Sequence, residues 1–322
     1  NYEYCRIAIE MALGRGGDQV VIKNGDSIAY FGGKSQQVEK NTRVKARVKA
    51  HALKEFMLAK DRVVVMGHKI PDVDVLGAAI GIFRAAKLIN KPAYIVMDNP
   101  PKSIQPLMAR FKDHPDYEGK IFITGREAKE LVDRNTMVVV VDTNKPNYTE
   151  CAELLSMTPT IVVLDHHRQG RDIIRNAVLS YIEPYASSAC EMVAEVLQYF
   201  AEGVRIRNIE ADCMYAGIMV DTNNFLTRTG VRTFEAAAYL RRCGADVTRV
   251  RKMFRDSMGD YRAKAETIAN AEIFEECFAI AICPSDGLDN PTIIGAQAAN
   301  DLLNVVGIKA SFVLTEYNGT IY

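Results

Sequence analysis

The sequence predicts an α/β protein: a mostly parallel sheet with helices on both faces, and a second, smaller α/β domain, incomplete here, across a cleft. Three observations carry this reading. Six short runs rich in apolar and β-branched residues, at 63–66, 93–97, 120–124, 137–141, 160–164 and 178–182, alternate with helical stretches, as in a buried parallel sheet. A mostly helical segment follows and closes on a long helix at 258–271. Beyond it a strand at 278–283, a helix at 290–303 and a strand at 310–315 open another α/β unit. A chain of 322 residues suits about two domains.

In chain order, residues 4–13 read as a helix, and 19–23 and 27–31 as strands joined by the hairpin signal Asn24-Gly25-Asp26. About forty residues make too small a core to stand alone, so 1–38 is expected to be the tail of a preceding domain. The polar stretch 32–47 reads as a linker that leads into a helix at 46–59, giving a linker segment 39–60. The main domain is expected at 61–257, a connecting helix at 258–271 and the partial second domain at 272–322. Within the sheet region helices are expected at 75–88, 103–112, 126–133 and 150–156, and after it at 187–202, 208–220, 232–243 and 247–256. The first residue is Asn1, not Met, so the chain reads as an excised piece.

Composition narrows the function classes. Forty basic and forty acidic residues balance to zero, which argues against long nucleic acid or a membrane surface as the main partner. Seven cysteines without a CxxC spacing read as reduced core thiols in a reducing compartment. No run approaches the roughly eighteen apolar residues of a membrane span, and there is no signal peptide.

The chemistry is concentrated at strand ends. The first sheet strand runs into Gly67-His68-Lys69-Ile70-Pro71-Asp72-Val73-Asp74, one imidazole and two carboxylates in a strand-to-helix loop. Pro71 biases Ile70 away from helix, and the acids suit the start of the next helix. The run 137–141 ends in Asp142-Thr143-Asn144, the run 160–164 in Asp165-His166-His167, and the apolar helical run 214–220 in Asp221-Thr222-Asn223-Asn224. Parallel strands bring such ends to one edge, where open α/β sheets bind ligands. Crowded acids with imidazoles suit Mn²⁺, Fe²⁺ or Zn²⁺ better than Ca²⁺. More than four ligands suggest two ions sharing a carboxylate, an apparatus for hydrolysing phosphate esters or anhydrides.

These four motifs, Asp72-Val73-Asp74, Val141-Asp142-Thr143, Asp165-His166-His167 and Asp221-Thr222-Asn223, resemble those of the DHH phosphoesterase superfamily. Gly67-His68-Lys69 and the leader Ala12-Leu13-Gly14-Arg15-Gly16-Gly17-Asp18 resemble the GdpP/YybT-type cyclic-di-AMP phosphodiesterases. Tyr30-Phe31-Gly32-Gly33-Lys34 is similar to the end of their degenerate GGDEF domain. The resemblance implies two Mn²⁺ ions, with Fe²⁺, Co²⁺ or Mg²⁺ as substitutes. His68, Asp72 and Asp142 would hold one; Asp74, Asp142, His166 and Asp221 would hold the other. Asp142 would bridge, His167 would face the substrate phosphate, and Asp165 would orient its neighbours. It also implies hydrolysis of cyclic-di-AMP to linear pApA by a metal-activated water, in a cytoplasmic domain of a membrane-anchored bacterial parent, and it is compatible with a homodimer. The family's Gly-Gly-Gly-His motif does not occur in these residues. Competing readings are a nanoRNase or RecJ-like hydrolase of short oligonucleotides, a pyrophosphatase, and a non-catalytic nucleotide sensor.

Each candidate has a plainer role beside it. His68 alone could be a loop histidine, Asp142 and Asp221 helix caps, and His167 structural. Ser187 and Ser188 precede a helix, where they either cap it or contact phosphate. Asn224 and Arg228 follow the last ligand, and Arg228 either pairs with phosphate or lies exposed. Gly77 and Gly81, four apart, read as close helix-to-sheet packing. The basic stretch from Arg241 to Arg255 reads as a solvated face.

Overall fold

The computed structural model describes residues 2–14, 19–24, 27–32, 38–112, 114, 117, 120–255, 257–288 and 290–322. The leader residues 15–18, the hairpin residues Gly25 and Asp26, and Gly33-Lys34 lie outside them. Contacts divide the chain into two compact units, one ending at Val250 and one covering Arg251–Tyr322.

The first unit begins with helix α1 (Tyr2–Gly14), which packs against β1 (Gln19–Asn24) of an antiparallel hairpin with β2 (Ser27–Gly32). Helix α2 (Val38–Leu58) follows. It starts well before the helix expected at 46–59, so part of the polar linker is helical. Its Lys, Glu and Arg content is compatible with a helix. Ala46, Ala50, Leu53 and Met57 form its buried stripe, at the spacing of one helix face.

The main sheet has six parallel strands: β3 (Arg62–Met66), β4 (Ala93–Val96), β5 (Phe122–Ile123), β6 (Thr136–Val141), β7 (Thr160–Asp165) and β8 (Leu179–Ile182). All six expected runs are strands. They are ordered β5-β4-β3-β6-β7-β8. The chain lays strands outward from β3 on one side, then returns to lay β6 beside β3 and builds outward on the other. That reversal is a topological switch point, and a crevice opens at the carboxyl ends of β3 and β6.

Valines fill the sheet because both its faces are covered. Val64, Met66, Val138, Val140, Ile161 and Val163 pack with Ala128 of α5 (Gly125–Leu131) and with Leu154 and Leu155 of α6 (Leu154–Met157). The alternate residues Val63, Val65, Val139 and Val162 are equally buried, and alternation sends them to the other face. There α3 (Val73–Leu88) packs against β3, β4 and β6, and α7 (Ala189–Phe200) against β7. The expected helices at 103–112 and 150–156 shorten to α4 (Gln105–Ala109) and α6.

Helix α3 is buried along nearly its whole length, because α7 and α8 (Asn208–Asp221) also pack on it. Gly77 and Gly81 face those helices, not the sheet. A Cβ on Gly77 would stand 2.5 Å from Cys190 Sγ and 2.7 Å from the Cys213 carbonyl oxygen. One on Gly81 would meet Val193 and Met214. Gly217 is the matching small residue on α8, with Cys190 and Asp74 against it. The unit continues through α9 (Val231–Arg242) into α10 (Val247–Met253).

In the second unit, β10 (Phe278–Cys283) and β11 (Ala310–Tyr317) pair in parallel, with β9 (Glu272–Phe274) and β12 (Thr320–Ile321) as antiparallel edges. The two short edge strands were not legible from patterning. Helices α11 (Met258–Ala269) and α12 (Pro291–Leu302) pack on this sheet through Ala263, Ile294 and Leu302.

Candidate metal centre

The crevice at the switch point gathers the residues that four separated motifs supply. His68 follows β3 and is pinned by a short antiparallel bridge to Thr149. In that bridge Lys69 N donates to the Tyr148 carbonyl at 2.8 Å and Glu150 N to the Gly67 carbonyl at 2.9 Å. Asp72 is the N-cap of α3, one carboxylate oxygen accepting from Val75 N at 3.0 Å. Its other oxygen lies 3.5 Å from His68 Nε2. Asp72 thus caps and serves the cluster with different atoms.

Asp74 sits one residue into α3 and is fully buried. The first two amides of α7 hold it: Ala189 N donates at 2.6 Å and Cys190 N at 2.9 Å. These are orphan helix-start donors, favourable to an anion. Asp142 follows β6 with φ of 57°, a left-handed conformation that Asp tolerates better than most residues. It caps no helix, and neither does Asp221. Asp221 is the last residue of α8, where the helix dipole opposes a carboxylate.

Distances divide these side chains into two sets that share Asp142. His68 Nε2 lies 3.4 Å from Asp142 Oδ2, and Asp72 completes the first set. His166 Nε2 lies 3.1 Å from Asp142 Oδ1, 3.5 Å from Asp221 Oδ2 and 3.9 Å from Asp74 Oδ2. Donors bound at about 2.0–2.2 Å to one cation stand roughly 3–4 Å apart. The 3.1 Å pair is not a hydrogen bond: His166 Nε2 and Asp142 Oδ1 are both buried without a partner. Two orphaned lone pairs side by side fit a divalent cation between them.

Left to protons alone, the cluster draws positive charge wherever it can. Burial lowers the pKa of an imidazole, but hydrogen bonds and charge from Asp142 and Asp72 outweigh it and push His68 up to about 10. Burial is likewise outweighed at His166, where Asp142, Asp74 and Asp221 push it up to about 9. Burial and the charges of Asp142 and Asp72 push Asp221 up to about 7. Burial with Asp142 and Asp221 raises Asp74 well above the carboxylate range. At Asp142 the burial penalty is outweighed by His166 and His68, and its pKa falls.

His167 is exposed and turned by Asp165. Its Nδ1 donates to Asp165 Oδ1 at 2.8 Å, and its backbone N donates to the same oxygen at 3.1 Å. Asn144 Nδ2 donates to Asp165 Oδ2 at 2.5 Å. Asp165 is fully buried and raises the His167 pKa. His167 also falls within reach of Asp142 and His166, but through the nitrogen that Asp165 occupies. Asn144 was not singled out in the sequence; its place directly after Asp142-Thr143 was the available signal.

Ser187 and Ser188 do not reach this crevice. Both are buried. Ser187 Oγ donates to Glu191 Oε2 at 2.6 Å, and Ser188 Oγ accepts from Glu191 N at 3.0 Å. Capping prevails because Glu191, in the first turn of α7, engages both. Their contribution to the site is indirect, through the helix start that cradles Asp74. Asn224 and Arg228 are exposed, in left-handed conformations with φ of 59° and 53°, and do not line the crevice cavity.

A switch-point crevice with a shared-carboxylate donor set defines a divalent-metal α/β domain. Residues 62–218 match the model of the "DHH family, N-terminal domain", so this segment is a DHH-family domain. It is 43% identical over 95% of its length to the cyclic-di-AMP phosphodiesterase GdpP of Bacillus subtilis (strain 168), covering 47% of that protein. It is 40% identical over 96% of its length to the cyclic-di-AMP phosphodiesterase PdeA of Listeria monocytogenes serotype 1/2a, again covering 47%. The chain therefore spans about half the length of these relatives. Among solved structures, an exopolyphosphatase-related protein from Bacteroides fragilis shares the fold, with a TM-score of 0.70 at 17% identity, covering 85% of this chain and 81% of that one. Among the described residues, no helix is long and apolar enough to cross a membrane.

Proposed function

We propose that this chain is the catalytic part of a two-metal phosphodiesterase that hydrolyses cyclic-di-AMP to linear pApA, with Mn²⁺ as the working cation. The observation that carries the reading is buried Asp142, grouped with His68 and Asp72 on one side and, through its other oxygen, 3.1 Å from His166, which is itself grouped with Asp74 and Asp221. The names of the relatives supply the substrate. His68, Asp72 and Asp142 would hold one ion, and Asp74, Asp142, His166 and Asp221 the other. When bound, such ions supply positive charge for phosphoryl oxygens and a water acidic enough to become a nucleophile.

The chain's own groups do the rest. Asp165 fixes His167 through Nδ1, which leaves Nε2 to donate to a phosphate oxygen. Asn144 holds Asp165 in place. The α7 amides aim Asp74. The same reading places the chain in the cytoplasm, in a membrane-anchored and dimeric parent.

The test is turnover of cyclic-di-AMP with Mn²⁺ and after chelation, with pApA offered in competition. Accumulating pApA that requires Mn²⁺ is the expected result. Preferential conversion of pApA to AMP would replace this reading with a nanoRNase. Tight binding without turnover would replace it with a sensor.

A further inference from the structure

The crevice is larger than its metal ligands. It opens into a cavity of about 740 Å³ whose lining also includes Ile70, Lys145 and Tyr148, within the size range of small-ligand sites. Tyr148 is 60% exposed and Ile70 is 78% exposed. Neither belongs to a motif, and the reaction steps above use neither.

Tyr148 is exposed but not loose. It ends the 3₁₀ turn Pro146–Tyr148, and its N donates to the Lys145 carbonyl at 3.1 Å. Its own carbonyl accepts from Lys69 N at 2.8 Å, one residue from the ligand His68. Thr149 Oγ1 closes the turn on the Pro146 carbonyl at 2.7 Å. Lys145 Nζ stands 5.1 Å from the ring centroid. The backbone that carries the ring is therefore held relative to His68, and an ammonium stands beside the ring. An aromatic side chain on an ordered backbone, with only two χ angles, has little ordering entropy to lose.

We propose that Tyr148 is the platform on which a nucleobase of the substrate stacks, with Lys145 beside it for a phosphate oxygen of the same ligand. The inference rests on the phosphodiester reading above, which puts the scissile phosphate at Asp142. A base joined to it through a sugar then enters the same cavity, whose lining includes Tyr148. Tyr148 and Lys145 are binding residues that set affinity and base preference and take no part in proton transfer.

The experiment compares wild type, Y148F and Y148A on cyclic-di-AMP and cyclic-di-UMP, with the Mn²⁺-induced rise in Tm as a measure of the metal centre. Losing a base-stacking ring raises KM about tenfold. The expected result is that loss in Y148A on cyclic-di-AMP, its restoration in Y148F, a smaller purine preference in Y148A, and an unchanged Mn²⁺ response. An unchanged KM in Y148A, alongside normal wild-type turnover, overturns the platform and keeps the reaction. If wild type hydrolyses neither dinucleotide, AMP binding to the Mn²⁺-loaded protein decides. Weaker AMP binding in Y148A sustains the platform although the reaction reading has failed, and equal binding overturns it.

Discussion

Two of the buried charged clusters in the first unit are solved in opposite ways. Glu210 is fully buried. Arg84 grips it with two hydrogen bonds of 2.6 Å, and Tyr117 Oη donates to it at 2.7 Å. That cluster is complete: opposite charges meet in a bidentate fork. At the switch point, four aspartates and two histidines crowd together, and Asp142 Oδ1 and His166 Nε2 have no hydrogen-bond partner. Side chains alone do not neutralise that cluster. The contrast teaches that burial of charge does not itself mark a site; here a carboxylate and an imidazole, 3.1 Å apart and both without a hydrogen-bond partner, distinguish the switch-point cluster.

The comparison breaks first at Asp142. D142A is expected to lower cyclic-di-AMP turnover by at least about a thousandfold and to abolish the Mn²⁺-induced rise in Tm. Its metal-free Tm should fall only slightly, since losing the carboxylate that His166 and His68 stabilise is offset by relieving Asp74 and Asp221. A metal-free Tm that drops steeply would mean the acid cluster is as self-sufficient as the Arg84 pair.

E210A tests the other side. It strands buried Arg84 without a partner, so unfolding in denaturant should show a loss of about 3–5 kcal/mol. The protein that remains folded should keep its Mn²⁺ response. Gly217 joins the two kinds of effect, because its missing side chain leaves room for Asp74. G217V is expected to cost about 1–3 kcal/mol by overpacking and also to weaken Mn²⁺ binding, measured by titration. Lost stability with unchanged Mn²⁺ affinity would separate helix packing from ligand placement.

D165N should lower turnover by about 10–100-fold, with a smaller effect on Mn²⁺ affinity, since Asp165 acts through His167. The smallest effect belongs to a fully exposed pair. Hydrogen bonds from Lys120 and from Thr124 hold Glu127 at about 2, below its ordinary 4.5. A depressed carboxylate contributes stability above its unfolded value and loses it as pH falls through the folded one. E127Q should therefore flatten the Tm–pH curve slightly between about pH 4.5 and 2, with a Tm slightly below wild type near neutrality that converges on it at low pH.

The six strands were legible because valine-rich runs bounded by turns leave little choice in a sheet covered on both faces. The metal candidates were legible because each stands directly after an apolar run. Three things were not. The helical start at Val38 looked like linker, since the polar residues before Ala46, where the described buried stripe begins, give no periodic signal. The short strands β9 and β12 carry no alternation long enough to see. Ser187 and Ser188 could be read as caps or as phosphate contacts, since a cap and an anion site share one local pattern. Glu191 decides between them.

The sequence by itself determined the residue types and their order: an imidazole after β3, an aspartate after β6, the Asp-His-His after β7 and an aspartate ending α8. Strand ends are local, and local patterns are written in neighbouring residues. Only the tertiary structure decided which atoms meet. Asp74 finds its donors 115 and 116 residues away. Gly77 and Gly217 let α3 and α8 approach closely enough to bring Asp74 near Asp221. The left-handed turn at Asp142 divides its two oxygens between the two donor sets. These depend on close packing between distant segments, where the absence of one methyl group is enough to set the distance, and no nearby residue announces it.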